Sequence, residues 1–302
     1  MVLVFRTEDL MDTLNNVLTT LSLTQKDNTF IGQPHDLGWG RIYGGQLIAQ
    51  SLDAATFSSP NNFTPHSIHC HFLATGSVDA PINYTVETLR NGRTYLSRRV
   101  EAVQKNQLIF HALISLQIPE EGLSYQQKMP KVPPPQNLPS YKSTLQGMVD
   151  KMSKAQRSSL PSGLKKFLNI KSAFEIRPIR PNNYFIPDEK QPERILWLKA
   201  SEHLPYSQQV HRSLLAWISD FPILGTALQP SSIPPSSPKI KMTSLDHSMW
   251  FYENIDLNNW ILFHMTSPKT GCGRGFTHGC FYTQKGQLIA TVAQEGMLRL
   301  RS

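Results

Sequence analysis

The chain has 302 residues, 39% apolar and 17% charged, enough for two domains of roughly 100 to 150 residues that each bury a core. No run approaches the roughly 18 apolar residues of a membrane span, and Cys70, Cys272 and Cys280, an odd number without CxxC spacing, suit reduced thiols better than disulfides or zinc. The net charge of +8 comes from basic residues spread along the chain, densest over 151–180 and without interleaved aromatics; it fits a basic surface as well as a phosphate-bearing ligand, and no nucleic acid is expected.

The opening "MVLVFRTEDLMD" turns acidic too soon for a transit peptide and lacks a signal-peptide core, so an intracellular location is the default expectation. In "GGQLIAQSLDAATF" (44–57), Leu47, Ile48, Leu52 and Ala55 recur at helical spacing, and Ala49, Ser51, Ala54 and Ala55 allow a close neighbour; an enclosed helix is predicted. Gly44-Gly45 at its start would let backbone N–H groups approach a ligand, or simply make a tight turn. In the strand-like "HSIHCHF", alternation gives His69 and His71 a common face, and His66 joins them only if the strand bulges. A metal pair is imaginable there, but no further ligand cluster supports it and a structural or substrate-lining role is expected. "PINYTVETL" alternates Ile82, Tyr84 and Val86 with polar residues, Asn91-Gly92 marks a turn, and "QLIFHALISLQ" puts Leu108, Phe110, Ala112, Ile114 and Leu116 on one face.

From Pro119 to Pro139 the chain changes character, and its triple proline can neither continue a helix nor join a central strand. "KSTLQGMVDKMSKAQRS" (142–158) follows as a short polar helix, and "AFEIRPI" and "RILWLKAS" read as strands opening a second unit at about residue 172. The expected organisation is therefore 1–118, a linker over 119–171, and 172–302. Val210, Leu214, Leu215, Trp217 and Ile218 mark a second long helix with Asp220 near its C-terminal end. Peptide dipoles disfavour an acid there by roughly 0.3–1 kcal/mol, so such an anion needs compensation; otherwise Asp220 forms a turn before Phe221-Pro222. "LDHSMWFYE" carries Asp246 and His247, but no GxSxG nucleophile elbow occurs in the chain, and "GCGRG" (271–275) reads as a strand connection. The last strand would place Leu288, Ala290, Val292, Gln294 and Leu298 on its core face. A buried amide left unpaired costs roughly 1–3 kcal/mol, so Gln294 should have a partner waiting.

Two stretches repeat: "QKNQLI" (104–109) returns as "QKGQLI" (284–289), with Gly92-Arg93 and Gly273-Arg274 upstream, and "SLDAATFSSP" (51–60) faces "SLLAWISDFP" (213–222). The same order of helix and strands in both halves indicates a duplication. "GWGRIYGGQLIAQSL", "HSIHCHFLATG", "SLDHSMWF" and "VAQEGMLR" resemble the type II acyl-coenzyme A thioesterases, comprising bacterial thioesterase II and the peroxisomal eukaryotic enzymes. That resemblance implies an α+β double hot-dog: two tandem repeats, each a long helix wrapped by an antiparallel sheet. It also implies hydrolysis of fatty acyl-coenzyme A without cofactor or metal, and a homo-oligomer of two or more copies. The family's acid falls on Asp220 in "WISDFP", its hydroxyl residue on Ser244 before "LDH", and its glutamine on Gln294 in "QEG". The first copy offers Ser58 opposite Asp220, the neighbourhood of Ser67 opposite Ser244, and Ile114 opposite Gln294, so one active site is expected, in the second unit. An enoyl-coenzyme A hydratase on the same fold and a non-catalytic acyl-binding module are the alternatives. Resemblance points to the peroxisome, whereas the chain ends Leu300-Arg301-Ser302 and not in a Ser-Lys-Leu-type signal, which leaves the cytoplasm as the alternative.

Overall fold

The computed structural model describes residues 12–301 except 28, 39, 159, 161–164, 166–167, 181–190, 232, 234–236 and 238. The readings of residues 1–11 and of Ser302 lie outside the described residues. The first half runs α1 (Leu14–Leu21), β1 (Leu23–Lys26), β2 (Thr29–Gly32), α2 (Gly44–Phe57), β3 (Thr64–Phe72), β4 (Ile82–Asn91), β5 (Tyr95–Gln104) and β6 (Gln107–Gln117). Two short helices, α3 (Tyr141–Asp150) and α4 (Lys154–Ser158), lead to β7 (Phe174–Pro178), β8 (Glu193–Ala200) and α5 (Gln208–Ile223). Then come β9 (Ile240–Ser244), β10 (Asp246–Phe251), β11 (Ile261–Gly271), β12 (Arg274–Thr283) and β13 (Leu288–Leu300). The single polar helix expected over 142–158 is thus two. Ser153 restarts the chain as a capping box, its N–H donating to Gln156 Oε1 (2.8 Å) while its Oγ accepts from the Gln156 N–H (3.3 Å).

Among the described residues the strands form one antiparallel sheet ordered β1-β2-β4-β5-β6-β3-β10-β13-β12-β11-β8-β7, with β9 added beside β13. The order is a palindrome once β7, β8, β10, β11, β12 and β13 are matched to β1, β2, β3, β4, β5 and β6. The halves meet where β3 pairs with β10, Ile68 opposite Met249. The expected α+β double hot-dog is what forms, its two sheets joined edge to edge around α2 and α5. Every residue of α2 from Gly45 to Ala55 is buried, as a helix enclosed on all sides requires.

The duplication extends to a defect. Register slips between Ala102 and Val103 against β6, and between Phe281 and Tyr282 against β13, so Ile109 and Ile289 are extra residues in equivalent bulges. Each turns its carbonyl to two N–H groups of the neighbouring loop: Ile109 to Leu73 and Ala74, Ile289 to Tyr252 and Glu253. The bulges correct two sequence expectations: Leu108 does not share the face of Phe110, and Leu288 does not share the face of Ala290 but packs outside, with Trp197, Trp260, Leu262, Cys280 and Tyr282. That outer face is covered by the proline-rich stretch. Met129, Val132 and Leu138 lie on it, Trp197 Nε1 donates to the Pro133 carbonyl (2.9 Å), and Gln127 Nε2 donates to Tyr282 Oη (2.9 Å).

Helices α2 and α5 run antiparallel in contact. Asp53, in the middle of α2, is 7% exposed and accepts from Ser213 Oγ (2.5 Å) and Gln209 Nε2 (3.1 Å) near the start of α5. Burial pushes its pKa up to about 7, against the lowering effect of the two donors. The folded chain therefore holds this proton where the unfolded chain, with an aspartate pKa of about 3.9, has lost it. The stability that goes with the protonated form is present in full below about pH 4 and is lost as pH rises through about 7. Asp53→Asn should remove this dependence. Its melting temperature is expected to exceed that of wild type by a few degrees at pH 8, with the gap closing toward pH 4.5. A gap that stays constant across that range would show that the carboxyl ionises freely in the fold.

Candidate active site

Asp220 lies in the last turn of α5, which continues through Pro222 to Ile223 and tightens into a 3₁₀ segment over Leu224–Ser231. The alternative turn before Phe221-Pro222 does not form. The helix end is an unfavourable place for an anion, and the antiparallel partner supplies the compensation. Gly44, first residue of α2, is so close that a Cβ there would stand 2.6 Å from Asp220 Oδ2, which sets the partial positive charge of the α2 N-terminus against the carboxylate.

Ser244 closes β9, and the strand breaks at the next residue. The Leu245 N–H donates to the Glu295 carbonyl (3.0 Å), its carbonyl accepts from Phe72 (2.9 Å), and Asp246 Oδ1 accepts from the Glu295 N–H (2.7 Å). Two residues three apart on an unbroken strand face opposite ways. The break at Leu245 lets both Ser244 and His247 face inward. Gln294 comes from β13, fully buried, on the face that the alternation predicts.

The three residues named from the sequence come together. Ser244 Oγ donates to Asp220 Oδ1 (3.1 Å), and Gln294 Nε2 donates to Ser244 Oγ (2.8 Å). Among the described residues the first half has no such set at the equivalent positions. Sheet pairing corrects one equivalence: Ser244 sits opposite Gly296, whereas at the corresponding place Pro65, not Ser67, sits opposite Leu116. The counterparts of the trio are then Ser58, Pro65 and Ile114, with neither acid nor amide among them.

Two further polar residues, His247 and Ser219, join the cluster without a motif in the sequence that marks them. His247 is wholly excluded from solvent, its Nδ1 2.5 Å from Gln294 Oε1 and its Nε2 3.0 Å from Ser219 Oγ. Alternation with Met249 and Phe251 already places His247 on the buried face; its polar neighbours come from α5 and β13 and have no local signal. A serine beside a histidine suggests a nucleophile, yet Ser219 is fully buried and also lies 2.8 Å from the Ala216 carbonyl, so it presents no hydroxyl to a substrate. His69 and His71 do face outward together, His71 stacked on His111 with ring centroids 5.2 Å apart and His69 Nδ1 3.1 Å from Ser248 Oγ. A register shift between Pro65 and Ser67 provides the bulge that the His66 reading required. Among the described residues no group of three His, Cys, Asp or Glu side chains could hold a metal ion. Nor is any described helix long and apolar enough to cross a membrane. "GCGRG" is the β11–β12 turn, with positive φ at Cys272 (51°) and Gly273 (71°).

Residues 33–117 match the family model described as acyl-CoA thioesterase N-terminal domain, and residues 165–297 the one described as acyl-CoA thioesterase. Acyl-CoA thioesterase 2 of Haemophilus influenzae is 36% identical over 289 residues, spanning 95% of this chain and 98% of the relative. Acyl-coenzyme A thioesterase 8 of Homo sapiens is 32% identical over 289 residues, 94% of this chain and 89% of the relative. Among solved structures, acyl-CoA thioesterase II from Mycobacterium marinum has a TM-score of 0.76 at 30% identity, covering 95% of this chain and 99% of its own. With both halves matched, and with that identity sustained along nearly the whole length, the chain belongs to the acyl-CoA thioesterase family and is an acyl-CoA thioester hydrolase.

Proposed function

We propose that the protein hydrolyses fatty acyl-coenzyme A to free fatty acid and coenzyme A by direct attack of a water molecule, with Asp220 as general base and Ser244 and Gln294 fixing the water's orientation. The observation that carries this reading is the unbroken chain Gln294–Ser244–Asp220, whose members come from β13, β9 and α5. A thioester carbonyl is already electrophilic, so positioning and deprotonation of water suffice. The water oxygen bonds to the carbonyl carbon as one of its protons passes to Asp220. The tetrahedral intermediate then collapses with cleavage of the carbon–sulfur bond, and the departing thiolate takes up a proton. Charge on the intermediate's oxygen calls for preorganised donors, each worth roughly 3 kcal/mol. The first N–H groups of α2, with Gly44 against Asp220, lie beside the carboxylate and are suited to that role.

The hydratase alternative asks for a histidine that reaches substrate beside the acid. His247 is shut off from solvent with both ring nitrogens engaged, which weighs against it. Mixing the protein with palmitoyl-coenzyme A and a thiol-trapping dye tests hydrolysis directly. Thiol release is expected from wild type, and Ser244→Ala and Gln294→Ala are each expected to lower kcat about 10- to 100-fold, the scale on which misplacing a reactant slows a reaction. Binding without release at any acyl length would leave only the binding-module reading.

A further inference from the structure

The hydrolytic trio leaves an orientation unspecified. The amide of Gln294 has nearly the same shape either way round, and it could present oxygen or nitrogen to Ser244. The difference matters because Ser244 has one proton. With the amide oxygen toward it, Gln294 and Asp220 would compete for that proton. With the nitrogen toward it, Gln294 donates and the serine proton is left for the carboxylate.

The amide stands with Oε1 toward His247 Nδ1 (2.5 Å) and Nε2 toward Ser244 Oγ (2.8 Å). A carbonyl oxygen can only accept, so Nδ1, 2.5 Å from Gln294 Oε1, must carry a proton. Burial holds the imidazole's pKa below its usual value despite the opposing influence of Asp220, the hydrogen bond to Gln294 and Asp246, which favours the neutral ring with its one proton on Nδ1. Nε2 is then an acceptor, and it lies 3.0 Å from Ser219 Oγ, whose hydroxyl also has the Ala216 carbonyl within reach at 2.8 Å. The backbone of His247 is itself anchored at the β3–β10 seam, where Cys70 pairs with it and donates its Sγ–H to the His247 carbonyl (3.1 Å). From His247 onward the donors point one way: His247 to Gln294, Gln294 to Ser244, Ser244 to Asp220.

We propose that His247 is a positioning residue of the hydrolysis: its Nδ1–H locks the Gln294 amide with nitrogen toward Ser244, and so directs the whole donor chain at Asp220. The inference rests on the trio being the hydrolytic machinery. His247 touches neither substrate nor water and acts only through Gln294.

Steady-state thiol release from palmitoyl-coenzyme A tests this with three substitutions of His247, alone and combined with Gln294→Ala. In His247→Asn the side-chain N–H₂ falls near the place of Nδ1 and still donates to Gln294. His247→Gln reaches instead toward Ser219, and His247→Leu donates nothing. The expected result is that His247→Leu and His247→Gln lower kcat about 10- to 100-fold with KM little changed, while His247→Asn recovers kcat to within about fivefold of wild type. In the Gln294→Ala background His247→Leu should cost no more than about twofold further, since the group it positions is gone. Equal losses in the Asn and Gln variants overturn the proposal, and this pair decides even if the leucine variant fails to fold. A full additional loss from His247→Leu on top of Gln294→Ala also overturns it, because a purely structural histidine would act independently of Gln294. Wild-type kcat in Gln294→Ala alone would instead remove the assignment of the trio.

Discussion

Asp220→Asn should abolish most of the activity while leaving the fold intact, with kcat falling about 10²- to 10⁴-fold, the range that general base catalysis contributes. The substitution is close to a test of proton acceptance alone. An asparagine Oδ1 can still accept from the Ser244 hydroxyl, whose Oγ lies 3.1 Å from Asp220 Oδ1, so the row from Gln294 onward need not break. What the amide cannot do is take the proton that water loses as it attacks. Because the neutral side chain fills the same space, KM should move little, and kcat and kcat/KM should fall together, the signature of an interaction used in the transition state. Stability should hardly change. The carboxylate lies at the unfavourable end of α5 and against the favourable end of α2, two effects of roughly 0.3–1 kcal/mol each and opposite in sign. A variant with unchanged melting temperature and kcat within about threefold of wild type would mean that the base lies elsewhere.

The repeat was legible because its signal is local: "QKNQLI" and "QKGQLI" each lie within six residues, and alternation in "PINYTVETL" and "QLIFHALISLQ" states which face is buried. What joins the repeats is not local. The pairing of β3 with β10 sets Ile68 beside Met249, and nothing near either residue names the other. The same holds for the site. Asp220 and Gln294 stand out as polar residues on faces that bury apolar ones, so each raises a question by itself. Ser244 raises none, being a half-buried strand-end serine, and it could be named only through the family resemblance. Its inward orientation depends on the break at Leu245, which is fixed by contacts with Phe72 and Glu295 from two other strands. Asp53 was invisible for a similar reason. The helical pattern of 44–57 is complete without it, and Ser213, which binds it, belongs to the other half. The equivalent bulges at Ile109 and Ile289 have no sequence signal because a slip of one residue leaves the apolar composition of a strand unchanged and alters only which side Leu108 and Leu288 take.

The close approach of the two helices gives the other large effect. Gly45→Ala should lower stability by about 3 kcal/mol, although helix propensity alone favours alanine over glycine by up to about 1 kcal/mol. The opposing term is steric. A Cβ at position 45 would overlap the Trp217 backbone carbonyl oxygen on α5 and the Tyr43 ring. Neither neighbour can step aside cheaply. The Trp217 carbonyl belongs to helix backbone, and Tyr43 is held with its Oη donating to that same carbonyl (2.8 Å) and its ring edge-on to Trp217, centroids 4.9 Å apart. Trp217 in turn stacks on Phe174 of β7, with centroids 5.9 Å apart, so a displaced α5 would press against the sheet. Relief requires the helix axes to separate at the end where Gly44 meets Asp220, and the substitution should therefore cost activity along with stability. In thermal melts the expected drop is about 6–12 °C, taking about 2–4 °C per kcal/mol for a chain of this size. The two losses should appear together because one contact sets both the packing of α2 on α5 and the distance from the first N–H groups of α2 to the carboxylate. A melting temperature raised by the alanine, as propensity alone predicts, would mean that the helices do not approach as closely at Gly45 as the backbone positions require.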